Sequence, residues 1–147
     1  MKINKLYREL ILKHYKEPFN KGLLKKKGNF LISNSHNILC NENIKIQIFF
    51  EKDQILEIRY ETEGCAILVS SASLMSFFLK TINLQFSIEK IKNFLKMLNK
   101  QKFQNEQINK ELYIFRDVSK FPSKLVCASL PWELSLSIIQ KYLSKKK

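Results

Sequence analysis

Residues 44–61, IKIQIFFEKDQILEIRYE, decide the fold. Ile44, Ile46 and Ile48 alternate with Lys45 and Gln47. Leu56, Ile58 and Tyr60 alternate with Glu57, Arg59 and Glu61. Side chains on a strand project to opposite faces in turn, so each run predicts a strand with one buried face. The polar Glu51-Lys52-Asp53-Gln54 between them reads as a turn, and the pair as an antiparallel hairpin.

Downstream, Glu63-Gly64-Cys65 interrupts the alternation. Residues 66–79 are first small (Ala66, Ser70, Ser71, Ala72, Ser73) and then apolar (Leu74, Met75, Phe77, Phe78). This predicts a helix with a tightly packed first half and Cys65 at its N-terminus. Ser87 is placed to cap a further helix through Leu98, with Ile88, Ile91, Phe94 and Leu95 at helical spacing. Residues 100–115 read as a polar connection running into a short helix. Phe121-Pro122 opens a last helix, with Pro131 inside it as a bend or break. Upstream, residues 3–15 form an amphipathic helix whose apolar positions are Leu6, Leu10 and Ile3. The breaker cluster 17–22 ends it, and residues 28–37 read as a polar loop or short strand.

The chain has 147 residues, 45% of them hydrophobic, which suits one domain with one core and argues against disorder. The formal net charge is +13. Lys, Asn, Ile and Phe are all abundant, as AT-rich codons favour, so composition accounts for a solvated basic surface. No nucleic-acid-binding module signature accompanies the charge. A basic nucleic-acid-binding protein with structural cysteines is the remote alternative. Residues 1–12 lack a continuous apolar run, and no apolar stretch reaches the ~18 residues of a membrane span. Three cysteines are an odd number, and free thiols in a reducing cytoplasm fit them better than a disulfide framework.

By spacing alone Cys40, Cys65 and Cys127 say little, since a lone cysteine is most often a small buried residue. Their contexts say more. Cys40 sits in the polar run 37–42 just before the first clear strand. Cys65 follows a glycine at a predicted helix start, where the helix dipole favours a thiolate. Cys127 follows Lys124 in another helix. His36, four residues before Cys40, has the reach to join a metal, although a loop histidine is usually just solvated. His14, Trp132 and the Phe77-Phe78 pair read as structural.

Three segments carry a resemblance. Residues 63–75, from Glu63-Gly64-Cys65-Ala66-Ile67 to Ser73-Leu74-Met75, are similar to the Gly-Cys segment of the IscU/SufU/NifU N-terminal domain family. Residues 118–132 resemble its third-cysteine segment, and Leu6 to Leu12 with His14-Tyr15 and Pro18 its N-terminal helix. The run around Cys40 stands where the family has Asn-Pro-x-Cys-Gly-Asp. Here Ile38 replaces Pro, Asn41 replaces Gly and Glu42 replaces Asp. Asn tolerates the left-handed backbone that Gly would supply. Val126 precedes Cys127 where IscU-type scaffolds have His, and their Leu-Pro-Pro-Val-Lys motif is absent. The chain therefore resembles SufU-type members more than IscU-type ones.

The resemblance implies an α+β fold: a small antiparallel sheet with helices packed on one face, the whole of residues 1–147 forming one such domain. It implies iron–sulfur cluster assembly, with zinc held by Cys40, Cys65, Cys127 and the carboxylate of Glu42; His36 or water are the other candidates for the fourth ligand. The implied activity is that of a zinc-dependent sulfurtransferase partner. Cys40 would accept persulfide sulfur from a PLP-dependent cysteine desulfurase of the SufS type, for downstream assembly proteins or apo-proteins. The alternative is a scaffold that builds a [2Fe–2S] cluster, with iron in place of zinc. Neither nucleic acid nor membrane is expected as a partner, and the expected compartment is the cytoplasm.

Overall fold

A computed structural model of the protein describes residues 5–37 and 41–146. The chain runs α1 (Lys5–Lys16), β1 (Phe30–Asn37), β2 (Glu42–Glu51), β3 (Gln54–Glu63), α2 (Ala66–Leu79), α3 (Leu84–Leu98), α4 (Lys110–Tyr113) and α5 (Pro122–Lys145), with 3₁₀ turns at Asn105–Gln107 and Ile114–Lys120. The strands form one antiparallel sheet in the order β1-β2-β3. This is the expected α+β architecture.

The sheet has two unlike faces. Ile44, Ile46 and Ile48 of β2 and Ile58 and Tyr60 of β3 point into the core. Helices α2 and α5 pack there, α2 on β3 and α5 on β1 and β2. The other face carries Lys45 exposed, while the segment before β1 shelters Gln47: its side-chain amide bonds the backbone of Leu24 in both directions. Alternation failed at one point. Leu56 is exposed and Ile55 buried, because a bulge slips the register between Phe49 and Phe50. Phe49 pairs with Glu57 and Phe50 with Ile55, so Leu56 is the extra residue, turned outward.

Helix α2 matches its expected span and lies between α1 and α5. Its serines are buried and do packing work. Ser71 donates to the Ala128 carbonyl at 2.6 Å and accepts from Trp132 Nε1 at 3.0 Å. Ser73 pairs with His14 Nδ1 at 2.7 Å and accepts from the Phe19 N–H at 2.9 Å. Small hydroxyl side chains let three helices approach while satisfying one another's polar atoms.

Other expectations need correction. The buried stripe of α1 is Tyr7, Ile11 and His14, and Leu6 is 68% exposed. Positions 7, 11 and 14 share one helical face, and Tyr7 meets Phe115 edge-on at 6.0 Å. The cap of α3 is Asn83, whose side chain accepts from the Gln85 and Phe86 N–H groups. Ser87 is buried inside that helix and donates to the Leu84 carbonyl. Phe77 is 53% exposed rather than core, whereas Trp132 is fully buried against Phe94. Helix α5 continues unbroken through Pro131. Proline lacks the N–H that the Cys127 carbonyl would otherwise accept. Among the described residues no helix is long and apolar enough to cross a membrane.

Candidate metal centre

Three elements bring the donors together. Asn37 and Glu42 pair across β1 and β2. Asn41 takes φ +50°, the left-handed backbone expected of an asparagine standing for glycine. Glu42 opens β2 on the core face and is 1% exposed. Cys65 follows β3 and precedes α2 as its cap residue. Cys127 lies in the second turn of α5 and is fully buried.

Glu42 is the hub. Its Oε2 accepts from the Cys65 backbone N–H at 2.8 Å. Its Oε1 accepts from Cys127 Sγ at 2.8 Å and from Asn37 Nδ2 at 3.3 Å. Gly64 makes the room: a β-carbon there would lie 2.8 Å from Glu42 Oε2 and 2.7 Å from Leu68 Cδ2.

The ligand atoms of Glu42, Cys65 and Cys127 lie within 4.8 Å of one another. A tetrahedral zinc with Zn–S near 2.3 Å and Zn–O near 2.0–2.2 Å sets its donors roughly 3.5–4 Å apart. Two sulfurs and a carboxylate oxygen therefore fit a common ion with small side-chain shifts. Sulfur donors favour zinc or iron over magnesium or calcium.

Electrostatics inside the cluster are opposed. Burial pushes the Glu42 carboxyl upward, but the hydrogen bonds from Cys127, Cys65 and Asn37 outweigh it and hold it below the usual carboxylate range. Burial, then the Glu42 carboxylate, push both thiols up. The helix terminus at Cys65 favours a thiolate, whereas burial and the Glu42 carboxylate act against it in the metal-free protein. A cation among the donors reverses the balance, since a coordinated thiol is deprotonated outright.

The remaining candidates separate clearly. His36 is exposed and its Nδ1 pairs with Asn43 Oδ1. His36 and Asn43 face each other one residue from Asn37 and Glu42, so alternation puts them on the opposite face of the sheet from the donors. Lys124 is exposed on the first turn of α5, where it lines an apolar cavity with Tyr7, Ile67, Asp117 and Phe121. Cys40, with Ile38 and Leu39, lies outside the described residues. Sequence reasoning missed Asn37 and the spatial need for Gly64. Both stand in the quoted segments, but only the strand register and the Glu42 reach reveal what they do.

The model of the NifU-like N-terminal domain matches residues 6–147. The chain belongs to that family. It is 29% identical over 131 residues to the zinc-dependent sulfurtransferase SufU of Bacillus subtilis (strain 168), covering 89% of this chain and 87% of that protein. It is 24% identical over 140 residues to the iron–sulfur cluster assembly scaffold protein IscU of Streptococcus pyogenes serotype M1, covering 95% and 86%. The N-terminal part of a nitrogen-fixing NifU-like protein from Brucella abortus shares the fold, with a TM-score of 0.82 at 15% identity over 95% of each chain. In this member of the NifU-like N-terminal domain family, the Gly-Cys segment supplies Cys65 and the steric gap at Gly64.

Proposed function

We propose that the protein serves iron–sulfur cluster assembly as a zinc-bound sulfur acceptor for a PLP-dependent cysteine desulfurase. The observation that carries this reading is the convergence of the ligand atoms of Glu42, Cys65 and Cys127 within 4.8 Å of one another; Cys40 stands two positions before Glu42 in the sequence. Cys40 completes a set of three sulfurs and one carboxylate. When bound, zinc keeps its thiol ligands as thiolates at neutral pH with no redox change of its own.

The transfer is a thiol–persulfide exchange. The Cys40 thiolate attacks the terminal sulfur of a persulfide R–S–SH on the desulfurase. The R–S–S bond breaks and a new S–S bond forms at Cys40. R–S⁻ leaves as a thiolate, and the proton stays on the transferred sulfur. Glu42 and Cys127 are both buried, and Val126 rather than histidine precedes Cys127. Similarity to a zinc-dependent sulfurtransferase at 29% identity supports the reading.

The test is desulfurase turnover with and without the protein. Wild type is expected to stimulate it and Cys40→Ser to abolish the stimulation. Full stimulation by Cys40→Ser would remove Cys40 as acceptor. Similarity to the IscU scaffold favours a second reading, in which iron and sulfide are cargo assembled into a [2Fe–2S] cluster on the same donors. Metal analysis after anaerobic purification separates the two. Stoichiometric zinc and no transferable cluster fits relay; a visible-absorbing cluster that passes to an apo-acceptor fits scaffold.

A further inference from the structure

Among the described residues the Glu42 carboxylate accepts from Cys127 Sγ, the Cys65 backbone N–H and Asn37 Nδ2, and these donors are not equivalent. Cys127 Sγ donates a thiol proton to Oε1. That proton must leave when the sulfur binds a metal, because the ligand is the thiolate. The Cys65 backbone N–H on Oε2 and the Asn37 side-chain amide on Oε1 belong to neutral groups that keep their protons. Among the described residues, these are the two neutral donors that keep orienting the carboxylate once the thiol proton is gone.

The backbone donor is given by the fold; Asn37 is given by the sequence. Asn37 is 8% exposed, so its amide has little recourse to water. The orientation of that amide is chemically determined, since the reverse would set its oxygen against the carboxylate. Asn37 and Glu42 are also directly opposite in the antiparallel register, on the core face of the sheet. The bond therefore crosses the last pair of the β1–β2 register.

We infer that Asn37 is a positioning residue for the metal centre: its side-chain amide fixes the Glu42 carboxylate in its ligating orientation. The inference rests on the metal-site reading of Glu42, Cys65 and Cys127. Partners that orient a ligand from outside the coordination sphere typically control 10–100-fold in metal affinity. Asn37 acts through Glu42, so its effect must disappear when Glu42 is absent. A merely structural role would not show that dependence.

The experiment is a double-mutant cycle on zinc affinity, measured by competition with a chromogenic chelator, with the cobalt-substituted absorption spectrum as second readout. Four proteins are compared: wild type, Asn37→Ala, Glu42→Ala and the double variant. Asn37→Ala is expected to weaken zinc binding by roughly 10–100-fold and alter the cobalt ligand-field bands. In the Glu42→Ala background the same change is expected to cost less than about threefold. Asn37→Leu, which keeps the side-chain volume without the donor, replaces Asn37→Ala if that variant is unfolded by circular dichroism. Unchanged affinity and spectrum in the Asn37 variant, or an equal loss in both backgrounds, overturns the inference while leaving the metal centre intact. A wild-type protein that binds neither zinc nor cobalt overturns the metal-site reading itself.

Discussion

The two ends of β2 are built on opposite principles. At its last residues Phe50 stacks on Tyr142 at 3.9 Å and 3° between ring planes. Tyr142 donates to the Lys52 carbonyl, the Leu84 N–H to Asp53, and the Ile55 N–H to Ile82. Apolar area and backbone bonds close this end. At its first residue, Glu42 holds two cysteines and an asparagine through directed bonds, with a glycine left open for the carboxylate. Helix α5 serves both ends, with Cys127 near its start and Tyr142 near its finish. At 1.5 Å per residue these lie roughly 22 Å apart along the helix. Burial of apolar surface is non-directional and supplies stability. A buried carboxylate among thiols supplies chemistry, and it is stable only while its partners stay in place.

Breaking the apolar end should cost most. Phe50 is 2% exposed, and Phe50→Ala is expected to destabilise by about 3–5 kcal/mol in denaturant unfolding. The folded fraction should keep its zinc stoichiometry; loss of zinc with the ring would show that the ends are coupled.

The polar end should gain from its ligand. Zinc at about a hundred times its dissociation constant is expected to add about 2.7 kcal/mol. For a chain of this size that is a rise of roughly 5–10 °C in thermal midpoint. A chelator should reverse the rise, and Glu42→Ala should remove most of it. The same midpoint in wild type with and without zinc would count against a metal at this end.

Gly64→Ala sharpens the contrast. Its β-carbon would stand under 3 Å from both Glu42 Oε2 and Leu68 Cδ2, so the carboxylate or the leucine must shift. A stability loss of about 1–3 kcal/mol is expected, together with weakened zinc binding in chelator competition. Loss of stability with zinc affinity unchanged would mean that Leu68 alone moves.

The smallest effect belongs to the far end again. Asn83 caps α3 and bridges to Gln54 beside the β2–β3 turn. Asn83→Ala is expected to cost about 1 kcal/mol. Zinc affinity should be indistinguishable from wild type by the same competition assay.

Much of the fold is legible in local pattern. The alternation of Ile44, Ile46 and Ile48, the small-residue run after Cys65 and the Phe121-Pro122 start each correspond to an observed element. The misreadings share a cause. Ile55 and Leu56 are both apolar neighbours, and so are Leu6 and Tyr7. A one-residue choice between them rotates a helix face by about 100° or flips a strand face. What lies opposite makes that choice: Phe115 for Tyr7, and the register slip at Phe50 for Ile55. The capping of α3 is similar, since Asn83 and Ser87 both suit a cap and only Asn83 sits where N–H groups are free.

The sequence by itself determined the elements, the segments that hold the cysteines and the family they resemble, because period and local chemistry are written along the chain. Only the tertiary structure showed which candidate donors come together. Glu42 meets Cys65 across 23 positions and Cys127 across 85. His36, close to Cys40 in sequence, stands on the other face of the sheet. Asn37 becomes a partner of the carboxylate through strand register alone. Residue types name the available donors; packing sets which of them come within bonding distance, since coordination and hydrogen bonding fall away within an ångström or so of their optimum.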